Sequence, residues 1–490
     1  MSFSQADADR LRAAAESAVK RERLPGLAIG VVEGDDLMYS EGFGFADIES
    51  AAPMTPEHRH RIASITKTML GLCVMALVEE GRLSLEARVP ELLPDIQFKG
   101  PADGLTVRHL LTHTGGIGEA PNPEDLARPF DKLFSDELKQ VSLAEAYATG
   151  ITIEVPPGTK WAYANHGYML LGEILSRIEG ADIQDVMHRR IFEPLGMKDS
   201  DIRDLPHEGL STGYHRAPGE DEAELLRRIG QEPPEEETVD GINIRGKYQY
   251  VWDRAAGAVQ STIPDMARYA IALLGEGAGI VKPETFRAMV SDQWRPDRRL
   301  PGWGLSFELR NYYGRAGILH SGSAFGGWNS FMIVFPAEKR ALLVHANLIY
   351  ERFGTSLVPR LIQAFWDAPD FIPPQVGADT RILETAPGVY ELPMPGPLTN
   401  FRALTSAGRI MVSAHGGGLV LRSRRGPWKA GVPMVPAGDT DTDPDLFALL
   451  TGEPQPPRIA VLQDSSGAVT GLRFPQLVDM YRNESIEPWT

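Results

Sequence analysis

Ser64-Ile65-Thr66-Lys67-Thr68-Met69-Leu70-Gly71-Leu72-Cys73-Val74-Met75-Ala76-Leu77-Val78 opens with a hydroxyl and an amine and then runs on almost wholly apolar. The run predicts a buried helix that begins close to Ser64, reaches about Glu80 and stops at Gly81. Residues three apart share a helix face, so Ser64 Oγ and the Lys67 amine meet in the interior at the helix start. The first-turn N–H groups and the helix dipole favour negative charge developing there. A serine hydroxyl is a poor nucleophile until another group removes its proton. Lysine can do so only where burial or nearby positive charge lowers its pKa. Alone, a Ser-x-x-Lys pattern also occurs at ordinary helix starts, so the rest of the chain must decide its meaning.

Two further stretches carry chemistry. Pro157-Gly158-Thr159-Lys160-Trp161-Ala162-Tyr163-Ala164-Asn165 precedes a predicted helix over 166–179. A phenol and an amide two residues apart in an extended segment point the same way. Tyr163 is placed to shuttle a proton between Ser64, a leaving group and water, and Asn165 to hold Lys67 and a substrate amide. The same pair also reads as a packed tyrosine and a capping asparagine. His320-Ser321-Gly322-Ser323 ends a predicted strand at Gly317-Ile318-Leu319. Gly322 has no side chain, so a substrate can lie along the strand edge. The Ser323 N–H can complete an oxyanion hole with that of Ser64. This stretch, too, reads equally as a plain strand end and turn.

Around these lies a frame of hairpins. Residues 5–22 predict a helix stopped by Pro25, and Leu27–Val32 and Asp36–Gly44 two strands about a turn at Glu33-Gly34-Asp35. Helices are expected at 106–112 and 142–149, and another at Thr262-Ile263-Pro264-Asp265, with its capping Thr and first-turn Pro. Phe331–Phe335 and Ala341–Ala346 form a closing hairpin about Pro336–Lys339. A domain that opens and closes with hairpins suits an antiparallel sheet whose first and last strands are neighbours, with helices packed on it. Residues 216–240, acidic and poor in apolar side chains, predict an exposed insertion. Beyond a boundary near 375 come about eight short alternating runs, among them Gly388–Leu392, Arg409–Ser413 and Leu419–Ser423, which suggest a small β-barrel or sandwich. The expected fold class is α+β, an antiparallel sheet with a helical subdomain over 1–370 and an all-β barrel over 380–490.

The chain has 490 residues, 49 Gly and 38 Pro, and is too long for one compact core. Its net charge of −17, from 66 Asp+Glu against 49 Lys+Arg, argues against nucleic acid or an anionic membrane as partner. The single cysteine, Cys73, permits no internal disulfide and reads as a buried small hydrophobe. The N-terminus lacks a basic start and apolar core, which makes cytoplasmic location the expectation. His109 and His113 stand four apart, but no third ligand lies near and no His-Glu-x-x-His exists, so no metal is expected. Gly42-Phe43-Gly44 is too short for a dinucleotide loop, and no cofactor is expected.

The three motifs in this order resemble the serine β-lactamase and penicillin-binding-protein superfamily, above all its class C-like branch of esterases, D-aminopeptidases and amidases. Leu105–Ile117, with Leu110-Leu111-Thr112-His113-Thr114-Gly115-Gly116, and Ala256–Met266 resemble further family segments. The resemblance covers about 10–365. It implies that Ser64 is acylated with Lys67 assisting, that Tyr163 is the general acid/base, and that Asn165 supports them. The third motif of true β-lactamases begins with a lysine that helps to hold a substrate carboxylate. Here it begins with His320, which is similar to related esterases and aminopeptidases and turns the expectation away from β-lactam substrates. Leu398–Arg402 and Arg425–Lys429 resemble the lipocalin-like barrel appended to some of these hydrolases. The expected function is hydrolysis of amide or peptide bonds in small substrates, D-configured ones included, through a Ser64 acyl-enzyme. A carboxylesterase is the alternative, with β-lactamase or transacylase behind it and a non-catalytic binding protein as the rival of another class. The expected partners are a small molecule or short peptide and, for self-association, further copies of the chain.

Overall fold

The computed structural model describes residues 2–118, 134–135, 137, 141–203, 205–219, 237–251, 254–350, 352–373, 379–392, 409–424, 428–437, 443–475, 478–486 and 488–489. Helix α1, Gln5–Glu22, starts at a Ser4/Asp7 capping box and ends where Arg23 takes φ 47°. The stop therefore precedes Pro25, because the left-handed Arg23 already turns the chain and its N–H closes on the Val19 carbonyl. Strands β1 (Gly26–Glu33) and β2 (Asp36–Asp47) form the expected hairpin, extended by a short β3 (Ala52–Pro53). The remaining strands of this sheet come much later in the chain. They are β4 (Gly302–Trp303), β5 (Glu308–Tyr312), β6 (Arg315–Ala324), β7 (Trp328–Phe335) and β8 (Arg340–Ala346).

The eight strands run in the order β4-β5-β6-β7-β8-β1-β2-β3. First and last hairpins are neighbours, as expected: β1 pairs antiparallel with β8 from Leu27↔Ala346 to Glu33↔Arg340. Both faces of the central strands are covered, which explains their near-continuous apolar sequence. On one face Leu27, Ile29, Val31, Leu342 and Val344 meet α1 and α7 (Val358–Trp366). On the other, Ala28, Val32, Val334 and Leu343 join the large core built on α2 (Thr66–Glu79), α3 (Val107–Leu111), α5 (Asn165–Glu179) and α6 (Ile263–Leu274). Between α3 and α5, α4 spans only Leu143–Ala146, shorter than the expected 142–149. Thr262 caps α6 by accepting the Asp265 N–H at 3.3 Å. The Asp265 carboxylate does not return to the cap; it accepts from Ser200 and the Asp199 N–H and pairs with Arg268.

The C-terminal region closes into an antiparallel barrel of eight strands. These are β9 (Gly388–Glu391), β10 (Arg409–His415), β11 (Gly418–Ser423), β12 (Val432–Pro436), β13 (Leu446–Leu449), β14 (Arg458–Gln463), β15 (Val469–Phe474) and β16 (Val478–Arg482). Its interior is filled by Tyr390, Ile410, Leu421, Phe447, Leu472 and Met480 among others. Arg299 reaches from the first sheet's side to Asp445 at 2.6 Å and Asp443 at 3.1 Å, and Leu300 packs on Leu446 and Ala460. Three expectations fall outside the described residues: the body of the acidic insertion (220–236), the boundary at 374–378, and the barrel motifs at 398–402 and 425–427. Among the described residues no helix is long and apolar enough to cross a membrane.

Candidate active site

Ser64 sits in a single 3-10 turn, Ala63–Ile65, that leads into α2. Ala63, with its Cβ, is held at φ 48°, a left-handed conformation that costs roughly 1–2 kcal/mol and persists only where neighbours impose it. They do. The Ile62 carbonyl accepts from Ser330 Oγ at 2.7 Å, the Ile62 N–H donates to Val259 O at 3.0 Å, and Thr66 Oγ1 accepts the Val259 N–H at 3.2 Å. Strand β7 and the 256–259 segment thereby clamp the turn that presents Ser64.

Lys67 has no solvent exposure, and its Nζ is held by hydrogen bonds. It lies 3.0 Å from Ser64 Oγ, 2.7 Å from Asn165 Oδ1 and 2.5 Å from the Ala256 carbonyl. Its Nζ also stands 5.2 Å from the Tyr163 ring centre and 5.6 Å from that of Tyr168. Three of the expected groups, Ser64, Lys67 and Asn165, thus form one hydrogen-bonded chain with Tyr163 beside it. Asn165 is the first residue of α5, but its side-chain oxygen faces Lys67 rather than capping the helix. The Ala256 carbonyl was invisible to motif reading, because a backbone oxygen leaves no mark on sequence; the only signal was the small-residue run Ala255–Ala258.

Strand β6 does not end before the third motif, as the sequence suggested; it runs through it to Ala324. The reason is β7, which continues to pair from His320↔Met332 to Ala324↔Trp328. On the other side β5 pairs only as far as Glu308↔Leu319, so among the described residues no strand pairs with 320–324 on that edge. Gly322 serves a different purpose from the expected one. A Cβ there would come 2.2 Å from the Ile62 carbonyl and 2.5 Å from Ser330 Oγ. The missing side chain lets the Ser64 turn pack on the strand. Gly322→Ala must push that turn away, and kcat should fall about a hundred-fold, since near-attack geometry tolerates little displacement. Steady-state kinetics beside a melting curve would check this. Ser323 accepts from Asn329 Nδ2 at 2.5 Å through its hydroxyl.

His320 is 3% exposed, and its ring lies 5.7 Å from that of Trp303 and 6.2 Å from that of Tyr163. Its Nδ1 stands 2.6 Å from the Ser321 carbonyl, which can only accept, so the proton is on Nδ1 and Nε2 is an acceptor. Burial, and then the charge of Lys67, push its pKa down to about 3. A neutral ring cannot stand in for a carboxylate-binding lysine. His109 and His113 are also engaged, by backbone. His109 Nδ1 accepts the Thr106 N–H at 3.2 Å, and His113 Nδ1 accepts the Ala164 N–H at 3.1 Å. Cys73 is buried, and burial raises its thiol to about 12.

The β-lactamase family profile matches residues 11–363, most of the chain. The chain belongs to the β-lactamase family. Esterase EstB of Burkholderia gladioli is 30% identical over 320 residues, 61% of this chain and 79% of that protein. Two solved structures share the fold. The octameric penicillin-binding protein homologue from Pyrococcus abyssi has a TM-score of 0.60 at 22% identity, over 97% of this chain and all of that one. D-amino acid amidase from Ochrobactrum anthropi SV3 has a TM-score of 0.57 at 23% identity, over 74% and 99%. This β-lactamase family member is a serine hydrolase.

Proposed function

We propose that the chain hydrolyses small acyl compounds without a carboxylate through an acyl-enzyme on Ser64. The observation that carries the reading is the buried Lys67, bonded at once to Ser64 Oγ, Asn165 Oδ1 and the Ala256 carbonyl beside Tyr163. In the proposed cycle the Lys67 amine, in concert with Tyr163, takes the Ser64 proton as Oγ attacks the substrate carbonyl carbon. The oxyanion forms against the backbone N–H groups of Ser64 and Ser323. Tyr163 passes a proton to the leaving group as the carbonyl re-forms, and water then attacks the acyl-enzyme at the same centre to release the acid and restore Ser64.

Two acyl classes fit, each with its own support. Carboxylic esters come first, because Esterase EstB is the relative with 30% identity over four-fifths of its own length. Amides of small amino acids, D-configured ones included, are favoured by His320, whose buried Nε2 acceptor has no hydrogen-bond partner among the described residues and suits a substrate N–H. The neutral His320 speaks against substrates that need a cation for their carboxylate. Self-association accords with the octamer named for the Pyrococcus abyssi homologue, and light scattering would read the mass in solution.

The test is turnover of p-nitrophenyl acetate and butyrate and of D- and L-aminoacyl p-nitroanilides by the chain and by Ser64→Ala. Ser64→Ala should lose at least about a thousand-fold in kcat/KM, and a slow ester should leave an acyl mass on wild-type protein only. Equal rates in the two proteins would end the proposal. Ester turnover without anilide turnover decides for the esterase.

A further inference from the structure

We propose that His113 is a positioning residue for Tyr163, holding the phenol where the reaction proposed above needs its proton. Two backbone N–H groups flank Tyr163, and both end on this one residue. Ala162 donates to the His113 carbonyl at 2.8 Å, and Ala164 donates to His113 Nδ1 at 3.1 Å. Between these two bonds the imidazole lies against the Tyr163 ring, with centroids 4.2 Å apart and planes tilted by 30°. His113 is itself wedged: its ring stands 5.0 Å from Trp303 and 5.1 Å from Tyr168, and it is 2% exposed. Trp303 and Tyr168 in turn both donate to the Leu111 carbonyl, two residues before His113.

The backbone at His113 takes φ 56°, a conformation that only glycine adopts freely. That conformation turns the carbonyl and the ring of one residue toward one neighbouring segment. The Ala164 bond requires Nδ1 to be an acceptor, so the proton sits on Nε2. Nε2 is buried with no hydrogen-bond partner among the described residues, so the residue's one satisfied polar atom in the ring is the one that holds the Tyr163 segment. With both flanking amides tied and one ring face covered, Tyr163 keeps little freedom. A proton donor that must meet Ser64 or a leaving group within hydrogen-bond reach loses rate steeply when misplaced.

The test compares His113→Gly and His113→Asn in the full chain, with p-nitrophenyl butyrate as probe and Ser64→Ala alongside. Both substitutes take positive φ. Glycine removes ring and acceptor, whereas asparagine restores an oxygen acceptor near the place of Nδ1. His113→Gly should lower kcat about a hundred-fold with KM within about threefold, and His113→Asn should recover at least about tenfold of that loss. Equal rates in the wild-type chain, His113→Gly and His113→Asn, or His113→Asn as slow as His113→Gly, would overturn the inference. Should His113→Gly not fold, [15N]histidine labelling of the wild-type chain decides. An unprotonated Nδ1 from pH 6 to 8 supports the role, and a protonated Nδ1 overturns it. The inference rests on the Ser64 mechanism, yet the two fail apart. Turnover retained by Ser64→Ala overturns both, whereas a dead Ser64→Ala beside unaffected His113 variants overturns this one alone.

Discussion

Lys67→Met should lower kcat/KM by about a thousand-fold while leaving a folded protein. Methionine has nearly the length of lysine and suits an apolar site, so the packing around α2 survives. What disappears is the one nitrogen that touches Ser64 Oγ, Asn165 Oδ1 and the Ala256 carbonyl together. General-base assistance is worth about a hundred- to ten-thousand-fold, and the middle of that range is the expectation. Loss of a buried amine relieves its desolvation, but it leaves three acceptors short of a donor, at roughly 1–3 kcal/mol for each one that finds no other partner. The melting temperature should therefore fall modestly while activity collapses. Asn165→Ala removes only one of the three bonds and should cost less in rate. If Lys67→Met kept more than about a tenth of wild-type turnover, Lys67 would not be the base, and Tyr163 would have to carry the proton alone.

Acid should destabilise this protein, because four of the buried histidines among the described residues have their pKa pushed down. His60, His113, His320 and His345 are all at most 3% exposed. Burial lowers His60 and His113 well below 6.5, and His320 and His345 to about 3. His60 and His345 also stack on each other at 4.9 Å, where a proton on either would be uncompensated. The sign follows from the proton count. Above about pH 6.5 neither state binds the protons, and stability is full. Below it the unfolded chain takes them up and the folded chain does not, so stability falls until each folded pKa is reached, near 3 for His320 and His345. From pH 7 to 5 His320 and His345 each cost about 2 kcal/mol, and His60 and His113 act in the same direction. Glu453 works in the opposite direction. Burial raises its carboxyl to about 7, so the folded state holds a proton that the unfolded state releases above 4.5, and acid returns about 2 kcal/mol. His320, His345 and Glu453 together leave a loss of about 2 kcal/mol, to which His60 and His113 add, against an ordinary domain's 5–15 kcal/mol. Urea unfolding at pH 7, 6 and 5 would measure it. His345→Phe keeps the stacked ring and removes one titration, so its loss should be smaller by about 2 kcal/mol. A flat profile in the wild-type protein would contradict the neutral burial of these rings.

Much of the site was legible because its parts are local. Ser64 and Lys67 are one helical turn apart, and any helix through Thr66–Glu79 brings them together. Tyr163 and Asn165 flank a helix start, and their common direction follows from that short segment alone. The hairpins around Gly34 and 336–339 were equally plain, since each is written in a turn and two alternating runs. So was the barrel, whose strands announce themselves by period and punctuation.

Other features were closed to sequence. Nothing local tells that the Ala256 carbonyl, 189 positions away, meets Lys67. Gly322 invited a reading as room for substrate, yet the space is taken by the Ile62 carbonyl, because β7 and the 256–259 segment drive the Ser64 turn against β6. The spacing of His109 and His113 assigned neither of them a role, whereas in the fold each ring accepts a different backbone N–H. The sequence alone determined which residues are candidates for the chemistry and which short elements present them, since helix phase, turn type and strand period are set by neighbours in the chain. Tertiary structure alone decided which carbonyls receive Lys67, which ring braces Tyr163 and which histidines lose their charge. Those properties depend on what distant segments bring to within 3 Å and on how completely they exclude water.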